Sequence, residues 1–311
     1  MSSVNLLNKV SSKLFGLESH FKELQDLHTS KQLPKISLLS GKKGAGKFTL
    51  IFHFINYIFS KKNYDLLNNE IKLDSLIYKQ ILAGTFQNFI YLNNYDLGSL
   101  KIDDIRNLKK TLLNTTLNNE PRFIVIDDAD LLSVNCANAL LKLIEEPSDK
   151  NYFILIDNKQ IPIIETIASR CLKTNIFLNN SKKNMIIESI LSHKNLSTNF
   201  NFHETDISPG EFLNYNEICG DNDLSENTPY ETKLNCLLKL YKKEKEKVYI
   251  NMSIYFTDQY FYKLSIQNKN DPFLLNTIKL NIISQINDFV IYNLNLNLVL
   301  NSIQQQFIYE K

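Results

Sequence analysis

Apolar residues in the first part of the chain gather into short unbroken runs, and in the later part into stripes at helical spacing. The runs at residues 36–39, 89–92, 122–127, 152–157 and 174–178 have the length and content of strands, the longer ones buried on both faces of a parallel sheet. Helical patterns separate them. Leu17, Phe21, Leu24 and Leu27 lie near helical spacing and predict a helix over residues 16–29. The stretch from Phe48 to Phe59 is apolar nearly all round, as in a helix held between a sheet and another layer. Residues 63–87 are polar and mixed and predict helical pieces on the surface. Ile105, Leu108 and Leu112 share one face of a helix over residues 102–113, with Asp103 and Asp104 in its first turn. Ser133 caps the next helix, Ala137, Leu140, Leu141 and Ile144 form its stripe, and Pro147 closes it after Glu145 and Glu146. A short helix from Pro162 precedes the last run. This alternation predicts an α/β fold with a doubly wound parallel sheet.

Past Leu178 the chain reads as helical. Met185, Ile186 and Ile190 mark a helix over residues 179–194, and residues 207–210 offer a Ser-Pro-Gly turn. Residues 216–229 are polar and turn-rich and read as a boundary. Leu234, Leu237, Leu238 and Tyr241 give another stripe, followed by a solvated Lys/Glu face at 242–247 and a long helix over 272–289. Leucines alternate from 294 to 300, and the helical neighbourhood favours a loop entering a final helix.

Composition narrows the class. The 311 residues carry a net charge of only +2, so no large basic field advertises nucleic acid. Four cysteines lie scattered without a C-x-x-C pair, which argues against zinc and for reduced thiols in a cytoplasmic protein. The first fourteen residues lack the apolar core of a signal peptide. The most apolar stretch, 48–59, is broken by His53 and Asn56 and is too short to span a bilayer, so no membrane partner is expected. Lysine is abundant, but only Arg106, Arg122 and Arg170 are arginines, and each raises the question of whether a planar guanidinium is needed there.

The chemistry centres on Gly41-Lys-Lys-Gly44-Ala-Gly46-Lys47, which fits the G-x-x-x-x-G-K part of a phosphate-binding loop between a strand and a helix. Glycines let successive N–H groups turn toward a phosphate, the helix N-terminus adds positive dipole, and Lys47 reaches the terminal phosphates. The motif should continue with a magnesium-binding Ser or Thr, but Phe48 stands there. Thr49 follows, turned about 100° round the helix. Asp127 and Asp128 end the strand at 122–127, where a carboxylate holds magnesium, usually through water. Asp128 occupies the place of a water-activating glutamate and is one methylene short. Asn158, at the end of the next strand, completes the candidate nucleotide set. ATP is the expected ligand, with Mg2+ only if nucleotide is bound.

Residues 138–147, NALLKLIEEP, and Ser169-Arg170-Cys171 join these motifs, and the combination resembles the clamp-loader subunits of bacterial DNA polymerase III. The opening from Leu14-Phe-Gly to Leu33-Pro34, Ile102-Asp-Asp-Ile-Arg106 and Ser208-Pro-Gly210 are more similar to delta-prime than to gamma/tau. The resemblance implies a RecA-like P-loop AAA+ domain over residues 1–178, a small helical lid over 179–215 and an all-α collar over 216–311. It implies a hetero-pentameric ring with gamma/tau and delta that places the sliding clamp on primed DNA. Arg170 then acts as an arginine finger, in trans, on nucleotide held by a neighbour. Phe48, Asp128 and the lack of any arginine after Arg170 all point to weak or absent hydrolysis by this chain. The alternative is an active gamma/tau-like ATPase of a clamp or helicase loader, which predicts a Ser or Thr after Lys47 and a lid arginine.

Overall fold

The computed structural model describes residues 10–94, 100–203, 205–267 and 272–308. The signal-peptide expectation rests mostly on residues 1–9, outside those described. The chain groups into two compact units: residues up to Asn195 together with Ser208–Glu211, and Leu196–Ile207 together with the residues from Phe212 onward.

In the first unit α1 (Glu18–Thr29) leads to β1 (Ile36–Ser40) and α2 (Lys47–Phe59). A hairpin of β2 (Tyr64–Asp65) and β3 (Glu70–Ile71) follows, then α3 (Leu76–Leu82), β4 (Phe89–Asn93), α4 (Ile102–Leu112) and β5 (Arg122–Asp127). Next come α5 (Val134–Ile144), β6 (Asn151–Asp157), α6 (Glu165–Ala168), β7 (Leu172–Asn175) and α7 (Asn180–Lys194). The large sheet runs β4-β5-β6-β1-β7 with every pair parallel.

The unbroken apolar runs have a direct cause. In β5, Phe123 and Val125 enter a core shared with Phe21, Leu50, Ile51 and Phe54, while Ile124 and Ile126 enter a second core with Ile105, Leu108, Ala137, Leu140 and Ile144. In β6, Ile154 and Ile156 face the first core, and Phe153 and Leu155 the second. Side chains alternate along a strand, so a sheet covered on both faces needs apolar residues at every position. The doubly wound α/β expectation is borne out.

Several elements differ from the sequence pattern. Residues 63–87 hold the β2–β3 hairpin as well as a helix; Asp65 accepts from the N–H groups of Leu67 and Asn68, and Asn69 takes φ 50°. The last strand lies at Leu172–Asn175, earlier than the apolar run, because it is a sheet edge where Leu172 and, just beyond it, Phe177 stay exposed. Met185 is exposed, and α7 packs through Ile186, Ile187 and Ile190 instead.

The second unit is helical. It contains α8 (Pro209–Asp221) beyond its first turn, α9 (Tyr230–Glu244), α10 (Lys247–Ile266), α11 (Pro272–Ile291) and α12 (Leu296–Ile308). Leu234, Leu238, Ile250, Phe261, Ile282, Ile286 and Ile303 build its core. The Ser-Pro-Gly segment opens a helix rather than a free turn, and the polar stretch from residue 216 is helical as far as Asp221. No helix among the described residues is long and apolar enough to cross a membrane.

Candidate functional site

At the carboxyl ends of β1, β5 and β6 the chain brings the glycine loop and the acidic residues together. Gly41 leaves β1 with its N–H donating to the Asp157 carbonyl at 3.1 Å. Gly44 and Gly46 take φ 77° and 86°, a region costly for residues with a Cβ. Gly46 is also the N-cap of α2. The Gly210 N–H donates to the Gly44 carbonyl at 2.9 Å, and a Cβ on Gly44 would come within 2.2 Å of Ser208 Oγ. Gly44 is therefore needed for its conformation and for the close backbone approach.

Lys47 is only 3 % exposed. Its Nζ donates to the carbonyls of Gly41 and Lys42 at 2.6 and 2.7 Å, bracing the first turn of α2 against the start of the loop. An ammonium has three donors, and the two carbonyls engage two of them. Burial pushes Lys47 down to about 8, against the pull of Asp127, Asp157, Asp130 and Asp128. A desolvated ammonium of this kind is stabilised by an anion placed beside it.

Asp127 accepts from the Tyr91 hydroxyl at 3.0 Å through Oδ2, and from Asn158 Nδ2 and the Asp128 N–H at 3.2 and 2.9 Å through Oδ1. Asp128, 2 % exposed and left-handed at φ 52°, accepts from Asn158 Nδ2 at 2.8 Å and Gln160 Nε2 at 2.6 Å. Lys43 Nζ lies 3.4 Å from the same carboxyl oxygen. Asp130 accepts from the N–H groups of Asn158 and Gln160. Phe48 is buried with its ring 4.6 Å from that of Tyr91. Thr49 is half-buried and shares no hydrogen bond with Asp127 or Asn158 among the described residues.

Gly41, Gly44, Gly46, Lys47, Asp127, Asp128 and Asn158 thus gather in one place, and Thr49 does not join their bonding. Tyr91, Asp130, Asp157, Gln160 and Lys43 belong to the cluster without having been singled out. Tyr91 sits in the middle of a short strand, and no motif distinguishes it from a core aromatic. The loop and Lys47 fit a phosphate. A magnesium ion does not fit: the position for a hydroxyl ligand holds a phenyl ring, and a tyrosine hydroxyl is bonded to the carboxylate oxygen.

Arg170 has separate surroundings. It follows α6 and is exposed, with one guanidinium nitrogen 2.9 Å from Glu145 Oε1 and another donating to the Thr166 carbonyl at 2.9 Å. Glu145 is the first acidic residue after α5, so the two segments that carry the resemblance meet in one ion pair. Among the described residues, the bonding partners of Arg170, Glu145 and Thr166, lie outside the Lys47 cluster.

Among known proteins, the delta-prime subunit of DNA polymerase III from Buchnera aphidicola subsp. Baizongia pistaciae is 31% identical over 105 residues, 34% of this chain and 30% of the relative. A DNA polymerase III gamma subunit from Buchnera aphidicola subsp. Schizaphis graminum is 33% identical over 141 residues, 43% of this chain and 36% of the relative. The matched segments thus span well under half the length of these relatives. A solved DNA polymerase III gamma subunit-related protein from Thermotoga maritima aligns over 93% of this chain and 99% of its own, at 16% identity and a TM-score of 0.46. Residues 16–192, more than half of the chain, match the family described as DNA polymerase III, delta subunit, and the chain belongs to that family.

Proposed function

We propose that this chain is a delta-prime-like subunit of the DNA polymerase III clamp loader. It joins gamma/tau and delta subunits in a hetero-pentameric ring, helps load the sliding clamp on primed DNA, and supplies Arg170 to nucleotide held by a neighbour. The division into a nucleotide domain (1–178), a lid (179–215) and a collar (216–311) is part of the same reading. The observation that carries it is the placement of Arg170: exposed, oriented by Glu145 and the Thr166 carbonyl, and apart in its bonding from the chain's own phosphate loop. A guanidinium presented in this way stabilises charge developing on a γ-phosphate. Weak hydrolysis by the chain itself is supported by Asp128, whose carboxylate is engaged by Lys43, Asn158 and Gln160 and is poorly placed to take a proton from water.

The test is clamp- and DNA-stimulated ATP hydrolysis by the reconstituted loader, comparing the parent with Arg170→Ala. Arginine fingers contribute about 10³–10⁵ in rate, so turnover at the site that Arg170 serves is expected to fall a hundredfold or more while the ring still assembles. Unchanged turnover at every site in an intact ring would overturn the role.

A further inference from the structure

We infer that the Lys47 loop takes nucleotide phosphates without a divalent metal, the Tyr91–Phe48 pair standing where the metal and its hydroxyl ligand would be. This rests on reading the loop as a nucleotide site, and it is independent of Arg170.

Three observations converge. Magnesium at a loop of this type is held by the hydroxyl after the lysine and by the aspartate ending the neighbouring strand. Here the first position is Phe48, and its ring packs against Tyr91 at 4.6 Å between centroids. That packing sets the Tyr91 ring, whose hydroxyl donates to Asp127 Oδ2 at 3.0 Å. The other oxygen, Oδ1, accepts from Asn158 and from the Asp128 N–H. Neutral donors thus engage both oxygens of the carboxylate that would hold a water-coordinated cation, and an apolar ring fills the opposite ligand position. A small divalent ion gives up its water reluctantly and needs oxygen ligands at near-ideal geometry. Here Asp127 is already engaged, and its neighbour Asp128 is held by Lys43, Asn158 and Gln160.

The anion side is intact. The loop keeps left-handed Gly44 and Gly46, the thirteen-residue α2 begins at the loop, and Lys47 is braced by two loop carbonyls with a further donor direction on its ammonium. A metal-free nucleotide is more negative than its magnesium complex, so the protein must supply the missing positive charge. Lys42 and Lys43 add two ammonium groups to the loop beside Lys47, and Lys43 holds Asp128, whose charge would otherwise oppose the phosphates. The ligand class is a nucleoside di- or triphosphate bound as the free anion.

The experiment measures binding of ATP to the isolated full-length chain by calorimetry, in excess EDTA and in excess Mg2+. Lys47→Met and Phe48→Thr/Tyr91→Phe are measured alongside, with circular dichroism to confirm that each is folded. The parent is expected to bind with affinities in the two buffers that agree within about threefold, and folded Lys47→Met to lose binding in both. In the double variant Mg2+ is expected to tighten binding tenfold or more, since a hydroxyl replaces the ring and Asp127 Oδ2 loses its tyrosine donor. Tightening of the parent by Mg2+ of tenfold or more would overturn the inference, as would failure of the parent to bind in either buffer. A folded double variant that stays indifferent to Mg2+ would overturn the assignment to Tyr91 and Phe48. None of these readings depends on the ring, so the clamp-loader role and the metal-free site stand or fall separately.

Discussion

His53 is completely buried within α2. Its Nε2 lies 2.9 Å from the Ser11 carbonyl, which can only accept, so Nε2 carries the proton and Nδ1 accepts from the Tyr64 hydroxyl at 2.8 Å. Both ring nitrogens of neutral imidazole are satisfied, and burial lowers the histidine from 6.5 to about 4. The folded state therefore refuses a proton that the unfolded chain takes up below pH 6.5. Stability should fall as pH drops through 6.5 toward 4, by up to about 3 kcal/mol from this group. Denaturant unfolding across that range should show a steeper loss for the parent than for His53→Gln, and equal slopes would refute the assignment. The arginines give a second lesson at this scale. Their scarcity singled out all three, but only geometry separates them. Arg122 is buried and donates to the carbonyls of Thr111, in the last turn of α4, and of Asn114 and Thr115 just past it, Arg106 pairs with Asp103 in the open, and Arg170 is exposed and oriented. Sequence told where a guanidinium was worth keeping and could not tell for what.

Among the elements, legibility follows whether burial is apolar. The β5 run and the α5 stripe were readable because, Arg122 and Cys136 aside, their buried positions are Phe, Ile, Val, Leu and Ala. Leu140 is fully buried in the core beneath α5, and Leu140→Ala should cost about 2–5 kcal/mol. Hydrogen exchange of the α5 amides is the suitable measurement, because it reports the first unit separately from the second; a loss below about 1 kcal/mol would show that the pocket collapses around the change. By contrast, α10 gave no stripe. Ser253 and Thr257 lie on its buried face, each hydroxyl donating to a carbonyl four residues back, so two buried positions look polar in the sequence. The same holds for α8. Asn216, which made the stretch look like a linker, is buried and exchanges bonds with Asn199 and the Ser197 carbonyl. Polar groups that satisfy one another inside the protein imitate solvent exposure in a sequence. The candidate site was legible for a related reason: glycines, a lysine and paired aspartates have few other uses at strand ends, whereas Tyr91 and Gln160 have many.

At the scale of the whole chain, the first unit is not continuous in sequence, for Ser208–Glu211 returns to it after Asn195. The return is made through backbone: a Cβ on Gly210 would lie 2.8 Å from Gly44 Cα and 3.0 Å from Gly44 O, and neither atom can move without moving the phosphate loop. Gly210→Ala is expected to lower stability by about 1–3 kcal/mol and to weaken ATP binding, whereas Gly84→Ala, whose added Cβ meets nothing within 4 Å, tests the cost of a left-handed glycine alone. Unfolding and calorimetric binding of the two variants check this, and a Gly210→Ala protein equal to the parent in both would remove the contact from consideration. The discontinuity also sets an order in time. A chain made at about 5–20 residues per second presents every strand of the sheet and all of the loop before residues 196–211 have been added. For roughly two to seven seconds of synthesis, from the end of β7 at Asn175 to Gly210, the nascent protein carries a phosphate loop still open at Gly44, and only the arrival of Gly210 closes it.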